Sequence, residues 1–325
     1  MTAAGPSTAT DTVLPGFLDA HVHLALADAA APAALLAGGI SRVLDLGGWR
    51  LGSGASGADR LCVRGAGQLL TAPGGYPSRA GWAPPGSVCE VSGAPGNGAT
   101  DAAGAVDRQL AGGASVVKIT LNSAAGPVFP GDVLAAIVGR AHDRGVTVVV
   151  HAQGRGQAQR AFTAGVDAFA HTPFSERLDD ELIAAMAGSM TWISTLDIHG
   201  WGRPSREFDT AVDNLGRFHA HGGRMLYGTD LGNGPLPVGL NRREIGALLA
   251  AGLSTDAVIA TLTSDDDGAA LGIDWGPALR HTRIAGPRPA SRQAFADWLC
   301  TARSVSGPLP APDSAPDSAP REALR

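Results

Sequence analysis

Residues 14–24 read Leu14-Pro-Gly-Phe-Leu-Asp-Ala-His-Val-His-Leu24. Phe17–Leu24 predicts a β-strand, and it ends in two histidines. A doubly wound open sheet would prefer a glycine-rich phosphate loop after its first strand, so histidines at this point favour another α/β architecture. Seven more strand-like runs follow, at Ser41–Leu46, Cys62–Leu70, Ser115–Leu121, Thr147–His151, Ala168–His171, Thr191–Leu196 and Arg224–Tyr227. Several are continuous apolar runs, Val146–Val150 among them, which suits strands buried on both faces of a parallel sheet. Helical patterns fall between and after them. Gly131–Arg144 carries Val133, Leu134, Ile137, Val138 and Ala141 as an apolar stripe, with Asp132 as its expected cap. Asp179–Ala187, Arg206–Ala220, Asn241–Ala251 and Ser254–Thr263 read the same way, the last capped by Ser254. Eight strand–helix units predict an α/β fold, a (β/α)8 TIM barrel over Leu14–Trp275, close to the ~250 residues typical of that fold.

Composition excludes several classes. The chain has 325 residues, 44 % of them hydrophobic, which rules out wholesale disorder. Lys+Arg 25 against Asp+Glu 30 leaves a net charge of −5, which argues against a nucleic-acid or polybasic membrane partner. No apolar run approaches the ~20 residues of a membrane span, and Met1–Asp11 lacks the pattern of a signal peptide. Cys62, Cys89 and Cys300 are too scattered for a disulfide framework, so a reducing, cytoplasmic setting is expected. The expected organisation is an N-terminal extension (1–13), a barrel with a C-terminal helical segment (14–303), and a disordered Pro/Ala/Ser tail (304–325). A Gly/Pro-rich stretch, Thr71–Thr100, follows the third strand, and long loops of this kind are usually functional or mobile.

In a parallel barrel the chemistry gathers at the C-terminal ends of the strands. Those ends carry His21 and His23, Lys118, His151, His171, and Asp230 in Gly228-Thr-Asp230. In a strand, residues i and i+2 share a face, so His21 and His23 can reach one metal ion. His219-Ala-His221 has the same spacing but lies at the end of an expected helix, where i and i+2 do not face each other. It reads as a surface pair favoured by the helix dipole, and His142 reads as a surface residue too. A lone strand-end histidine is commonly structural. Four histidines and an aspartate gathered at strand ends are hard to produce by core packing and point to a metal site.

Lys118 is the one lysine among the 25 basic residues, and it stands in the apolar run Val116-Val-Lys-Ile119. A buried ammonium is costly unless it is paired or neutralised. Two solutions fit: a salt bridge to Asp19, Asp45 or Asp230, or a neutral amine carboxylated by carbon dioxide. The carbamate would be an anionic ligand able to bridge two metal ions.

These residues together resemble the amidohydrolase superfamily. Leu14–Leu24 looks like its opening motif, and Lys118, His151, His171 and Asp230 fall at its remaining ligand positions in order. Within it, Gly113–Ile119, His142–His151, Ala164–His171 and Gly228–Asp230 are most similar to the imidazolonepropionase-like and prolidase-like group. That resemblance implies a binuclear site, usually zinc. One ion would take His21, His23, Asp230 and a bridging carboxylated Lys118; the other would take Lys118, His151 and His171. The mononuclear deaminase branch carries a glutamate where this chain has Gly154. Members commonly add a β-sandwich built from residues before and after the barrel; this chain is expected largely to lack it.

The implied function is a hydrolase cleaving a C–N bond, linear or cyclic amide, of a small molecule. A hydroxide bridging the metals would attack the carbonyl, and Asp230 would handle its proton. An ester or lactone would use the same machinery. A non-hydrolytic cyclisation, deamination or decarboxylation, or an idle metal-binding protein, are the other classes open. Substrate contacts are expected from His199, as carbonyl polariser, and from Trp201, Tyr76, Arg79 and Asn122, with Arg79 suited to a carboxylate. Oligomeric state is left open, a homo-oligomer included.

Overall fold

The structure, a computed structural model, describes residues 11–47, 60–92, 101–263, 270–277 and 280–307. The chain opens with β1 (Thr12–Pro15) and enters the barrel at β2 (Phe17–Val22), followed by α1 (Ala31–Ala37) and β3 (Ile40–Asp45). The third stave, expected as one strand, is two: β4 (Cys62–Gly65) pairs with β3, and β5 (Leu69–Thr71) pairs with the fourth stave. A left-handed turn at Gly67 separates them, and the Gln109 side chain accepts the Gln68 N–H there at 2.8 Å. Part of the Gly/Pro-rich stretch forms β6 (Val88–Glu90) along the other edge of β5; residues 93–100 lie outside the described residues.

The rest alternates regularly: α2 (Ala102–Ala111), β7 (Val117–Asn122), α3 (Gly131–Asp143), β8 (Val148–Gln153), α4 (Gln157–Thr163), β9 (Ala168–Phe169), α5 (Asp180–Ala187), β10 (Thr191–Ile193), α6 (Arg206–Ala220) and β11 (Arg224–Leu226). Then come α7 (Arg242–Ala250) and α8 (Thr255–Thr263). The parallel ladder runs β11-β10-β9-β8-β7-β5-β6, with β2-β3-β4 as a second segment. Backbone bonds join the two into a ring. Ser115 N donates to Gly65 O at 2.8 Å on one side; on the other, Ala20 N donates to Tyr227 O at 2.9 Å and Val22 bridges to Leu231. The protein is a TIM barrel.

Of the two caps read from the sequence, Ser254 holds its place and Asp132 does not, and Ser205 caps a further helix. Ser205 accepts from Phe208 N ahead of α6, and Ser254 accepts from Ala257 N ahead of α8. Asp132 is not the cap of α3: Pro130 holds that position, and Asp132 lies inside the first turn, where its charge meets the helix dipole.

Side-chain alternation sorts the strands. On β7, Val117, Ile119 and Leu121 pack outward against the helices, while Val116, just before the strand, points into the lumen. On β8, Val148 and Val150 go outward and Val149 inward. Leu18, Leu44, Ala168, Ile193 and Leu226 fill the same lumen, closed below by Leu271, Ile273 and Trp275. The lower barrel is therefore apolar. Two residues further up, the inward positions are Lys118 and His151.

The terminal segments depart from expectation. The C-terminal segment does contain a helix, α9 (Arg292–Leu299), but it lies between β12 (Arg280–Ile284) and β13 (Arg303–Ser306). These strands and β1 form a small antiparallel sheet of order β1-β12-β13. It is far short of a sandwich, yet it ties residues 12–15 to the chain's end. Residues 304–306, expected within the tail, are thus in a strand, because Arg280 and its neighbours pair with them. Residues 1–10 and 308–325 lie outside the described residues.

Candidate metal centre and its cavity

His21 and His23 leave β2 side by side, with their Nε2 atoms 3.3 Å apart. Asp230 Oδ1 lies 3.1 Å from the first and 3.3 Å from the second. Nitrogen and oxygen ligands held tetrahedrally at about 2.0–2.1 Å from zinc stand about 3.3 Å from one another. The triangle thus has the edge lengths of a metal site. Asp230 Oδ1 is buried and has no hydrogen-bond partner, while Oδ2 accepts from Asn233 at 2.7 Å. An orphaned carboxylate oxygen facing two imidazole nitrogens is costly without a cation between them.

The outer nitrogen of each histidine is tied down. His21 Nδ1 meets Ala170 O at 2.7 Å, His23 Nδ1 meets Gly47 O at 2.9 Å, and His171 Nδ1 meets Thr195 Oγ1 at 2.9 Å. His151 is tied at Nε2, 3.2 Å from Gln153 Oε1, which leaves Nδ1 free. Such second contacts fix ring orientation at metal sites. His171 packs against His21 (ring centroids 4.7 Å) and against His151 (4.9 Å, nearly perpendicular). His21, His171 and Asp230 each offer a ligand atom within 4.8 Å of the others. All six expected ligands meet at one end of the lumen.

Two further carboxylates serve as braces. Asp19 accepts from Thr229 N at 3.0 Å and from Thr229 Oγ1 at 2.6 Å, holding the loop that presents Asp230. Asp45 accepts from Leu24 N and Gly47 N, and so anchors the carbonyl that orients His23. Sequence reading considered both only as salt-bridge partners for Lys118. Among the described residues, three non-glycine residues have left-handed backbones, Thr195 (φ 42°), Trp201 (φ 47°) and Asp230 (φ 60°), and all three are at this end of the barrel. That conformation is strained for threonine and tryptophan, and strain of this kind concentrates at functional sites.

Electrostatics match the geometry. Burial pushes the Lys118 ammonium down to about 7, with Asp230 the one charge drawing it back. No carboxylate among the described residues pairs with it. Burial also keeps His21 and His171 well below the ordinary imidazole value, and His151 at about 4. These rings are neutral at pH 7 and able to ligate. Burial alone would raise the Asp230 carboxyl, but His21, His23 and His171 together hold it well below the carboxylate range. Burial lifts Asp19 to about 7 and Asp45 to about 6, against their hydrogen bonds.

A cavity of about 500 Å³ opens above these groups. Of the residues expected to touch substrate, Tyr76, His199 and Trp201 line it. His199 is buried beside Phe174 (ring centroids 4.1 Å), and its Nε2 has no partner. Burial lowers its pKa to about 4, so the ring is neutral. Arg79 and Asn122 are not among the lining residues. The Arg79 guanidinium sits over Gly74, where its charge acts on Glu90. Asn122 donates to Gln153 Oε1 at 2.7 Å, one shell behind His151. Trp82 and Phe174 also line the cavity and were not legible as site residues, because nothing local in their loops fixes where they point.

The sequence profile of the amidohydrolase family matches residues 12–264. The chain belongs to the amidohydrolase family. It is thus a metal-dependent hydrolase acting on carbon–nitrogen bonds. A Xaa-Pro dipeptidase structure is 21 % identical, with TM-score 0.66, covering 88 % of this chain and 84 % of the other. The A. niger ochratoxinase is 16 % identical, TM-score 0.69, covering 88 % and 80 %. Molinate hydrolase is 15 % identical, TM-score 0.63, covering 94 % and 88 %. At such identities the likeness shows the fold and not the substrate. No curated protein sequence matches significantly. Among the described residues, no helix is long and apolar enough to cross a membrane.

Proposed function

We propose that this amidohydrolase holds two divalent ions, zinc by the nitrogen-rich donor set, and hydrolyses an amide or cyclic amide C–N bond of a small molecule. The observation that carries the binuclear reading is Lys118. It is buried, its amine is depressed to about 7, no carboxylate among the described residues pairs with it, and it lines the cavity with His151 of β8, close enough for its charge to act on that ring. A neutral lysine amine can take up carbon dioxide, and the carbamate is the anionic oxygen ligand this cluster needs. His21, His23 and Asp230 would hold one ion, His151 and His171 the other, with carboxylated Lys118 between them. Ions so held lower the pKa of water toward neutrality and polarise a carbonyl.

The chain's own residues supply the rest. Asp230 is ionised, and its carboxylate sits where a proton leaving the attacking water can be accepted and handed to the departing nitrogen. Asn233, bonded to Oδ2, keeps the carboxylate oriented for that exchange. His199, neutral and with a free buried Nε2, can donate a hydrogen bond to the substrate carbonyl oxygen. The apolar lumen below the ligands excludes water from beneath. An ester or lactone would fit the same arrangement. Cytoplasmic location and a small-molecule partner complete the reading.

Elemental analysis after growth with zinc, combined with 13C NMR after 13C-bicarbonate exchange, tests it. Two ions per chain and a carbamate resonance absent from Lys118→Ala are expected. One ion per chain and no carbamate resonance would overturn the binuclear reading.

A further inference from the structure

Resting on the amide-hydrolysis reading above, we propose that the substrate is an uncharged aryl amide, one whose scissile C–N bond joins an acyl group to an aromatic amine and which bears no carboxylate. The walls of the cavity carry this inference. Trp82 follows the third stave and Trp201 the seventh, four staves apart in a ring of eight, and both line the same cavity. They are 40 % and 43 % exposed, the most exposed large aromatics among the described residues. An exposed pair of this kind on one mouth is an apolar surface awaiting a partner. Trp201 is not a loose surface residue. Its backbone is left-handed, its N–H donates to Asp197 O at 2.7 Å, and its indole lies so close over Gly234 that a Cβ there would come within 2.8 Å. Trp82 is tilted against Tyr76 (5.9 Å) and His23 (6.4 Å), and Tyr76 stacks on His151 (5.2 Å). A flat ring entering the cavity would meet aromatic side chains contributed from both sides of the ring of staves.

The polar inventory points the same way. The charged side chains lining the cavity are Lys118 and Asp230, both part of the ligand cluster. No arginine lines it among the described residues, and Arg79 is turned away toward Glu90. Gln153 is engaged by Asn122 and His151, and Asn233 by Asp230. Outside the ligand cluster, the unpartnered buried polar side-chain atom on the wall among the described residues is His199 Nε2, enough for one carbonyl oxygen. A carboxylate buried among these aromatic walls would be unpaired and costly. The reaction balances with water alone: the carbonyl carbon gains the water oxygen, the C–N bond breaks, and the aryl amine leaves with a proton, R–CO–NH–Ar + H2O giving R–COOH + Ar–NH2.

The test is calorimetric binding to the zinc-loaded protein, followed by product release from the same compounds. The probes are N-phenylhexanamide, its para-carboxylate analogue and N-hexylhexanamide. The neutral anilide should bind about tenfold tighter than either analogue, and Trp82→Ala and Trp201→Ala should each weaken it about fivefold while leaving N-hexylhexanamide within about twofold. Equal or tighter binding of the carboxylate or alkyl compound, or indifference to both tryptophan variants, would overturn the substrate class. Alkyl amide cleavage without aryl preference leaves the hydrolase reading intact and removes this one. Preferential anilide binding without cleavage of any probe leaves the ligand class standing and removes amide cleavage.

Discussion

Two stretches of this chain share the pattern His-X-His, and the molecule uses them in unrelated ways. The pairs are His21-Val-His23 and His219-Ala-His221. The first pair leaves β2 at the C-terminal end of the barrel, with side chains almost fully buried and Nε2 atoms 3.3 Å apart. The second ends α6, where His219 is half-buried and His221, the C-cap residue, is exposed. Since α6 leads into β11, that pair lies at the opposite face, away from the chemistry. Spacing acquires meaning only from the element that carries it. Around the first pair one carboxylate oxygen lacks a hydrogen-bond partner and each outer ring nitrogen is tied; the second pair sits at a helix terminus.

The sharpest break of this comparison is to delete each pair. His21→Ala or His23→Ala should abolish hydrolysis and lower zinc per chain, as should prolonged chelation, with the chelated wild type recovering on zinc and bicarbonate. Asp230→Asn should keep the fold and lower kcat by about 10²–10⁴, the range of lost proton-transfer catalysis. Normal turnover in folded Asp230→Asn would remove the proton-transfer role.

A smaller effect is expected one step back. Asp45→Asn removes one of the two acceptors that hold Leu24 N and Gly47 N, and so loosens the carbonyl that orients His23. Zinc affinity should fall about tenfold, as for other second contacts of metal ligands; competition with a chromogenic chelator measures it. An unchanged affinity would show that Gly47 holds its place without Asp45. Smallest of all, His219→Ala with His221→Ala should leave zinc content and kcat unchanged and shift stability by no more than about 0.5 kcal/mol in thermal unfolding. Loss of metal in that double variant would undo the distinction between the two pairs.

Much of the site was legible because strands expose their geometry in sequence. Lys118 and His151 occupy inward positions directly above Val116 and Val149, and period-two alternation places them without knowledge of any other stave. Other parts obey no such local rule. Arg79 and Asn122 sit near the cavity in sequence terms, yet one faces Glu90 and the other Gln153. Trp82 and Phe174 line the cavity from loops whose course depends on their neighbours.

The sequence by itself determined the eight-unit alternation, the order of the ligand residues and the strand faces that bear them, since these depend on local periodicity and chemistry. Tertiary structure alone decided the rest. It split the third stave, because β4 and β5 answer to different neighbours. It paired β1 with β12, strands separated by nearly the whole chain. It also set Asp230 against two imidazoles and brought two tryptophans from distant loops to one cavity. Those relations arise when the ring of strands closes, and closure is a long-range event that no short window of residues encodes.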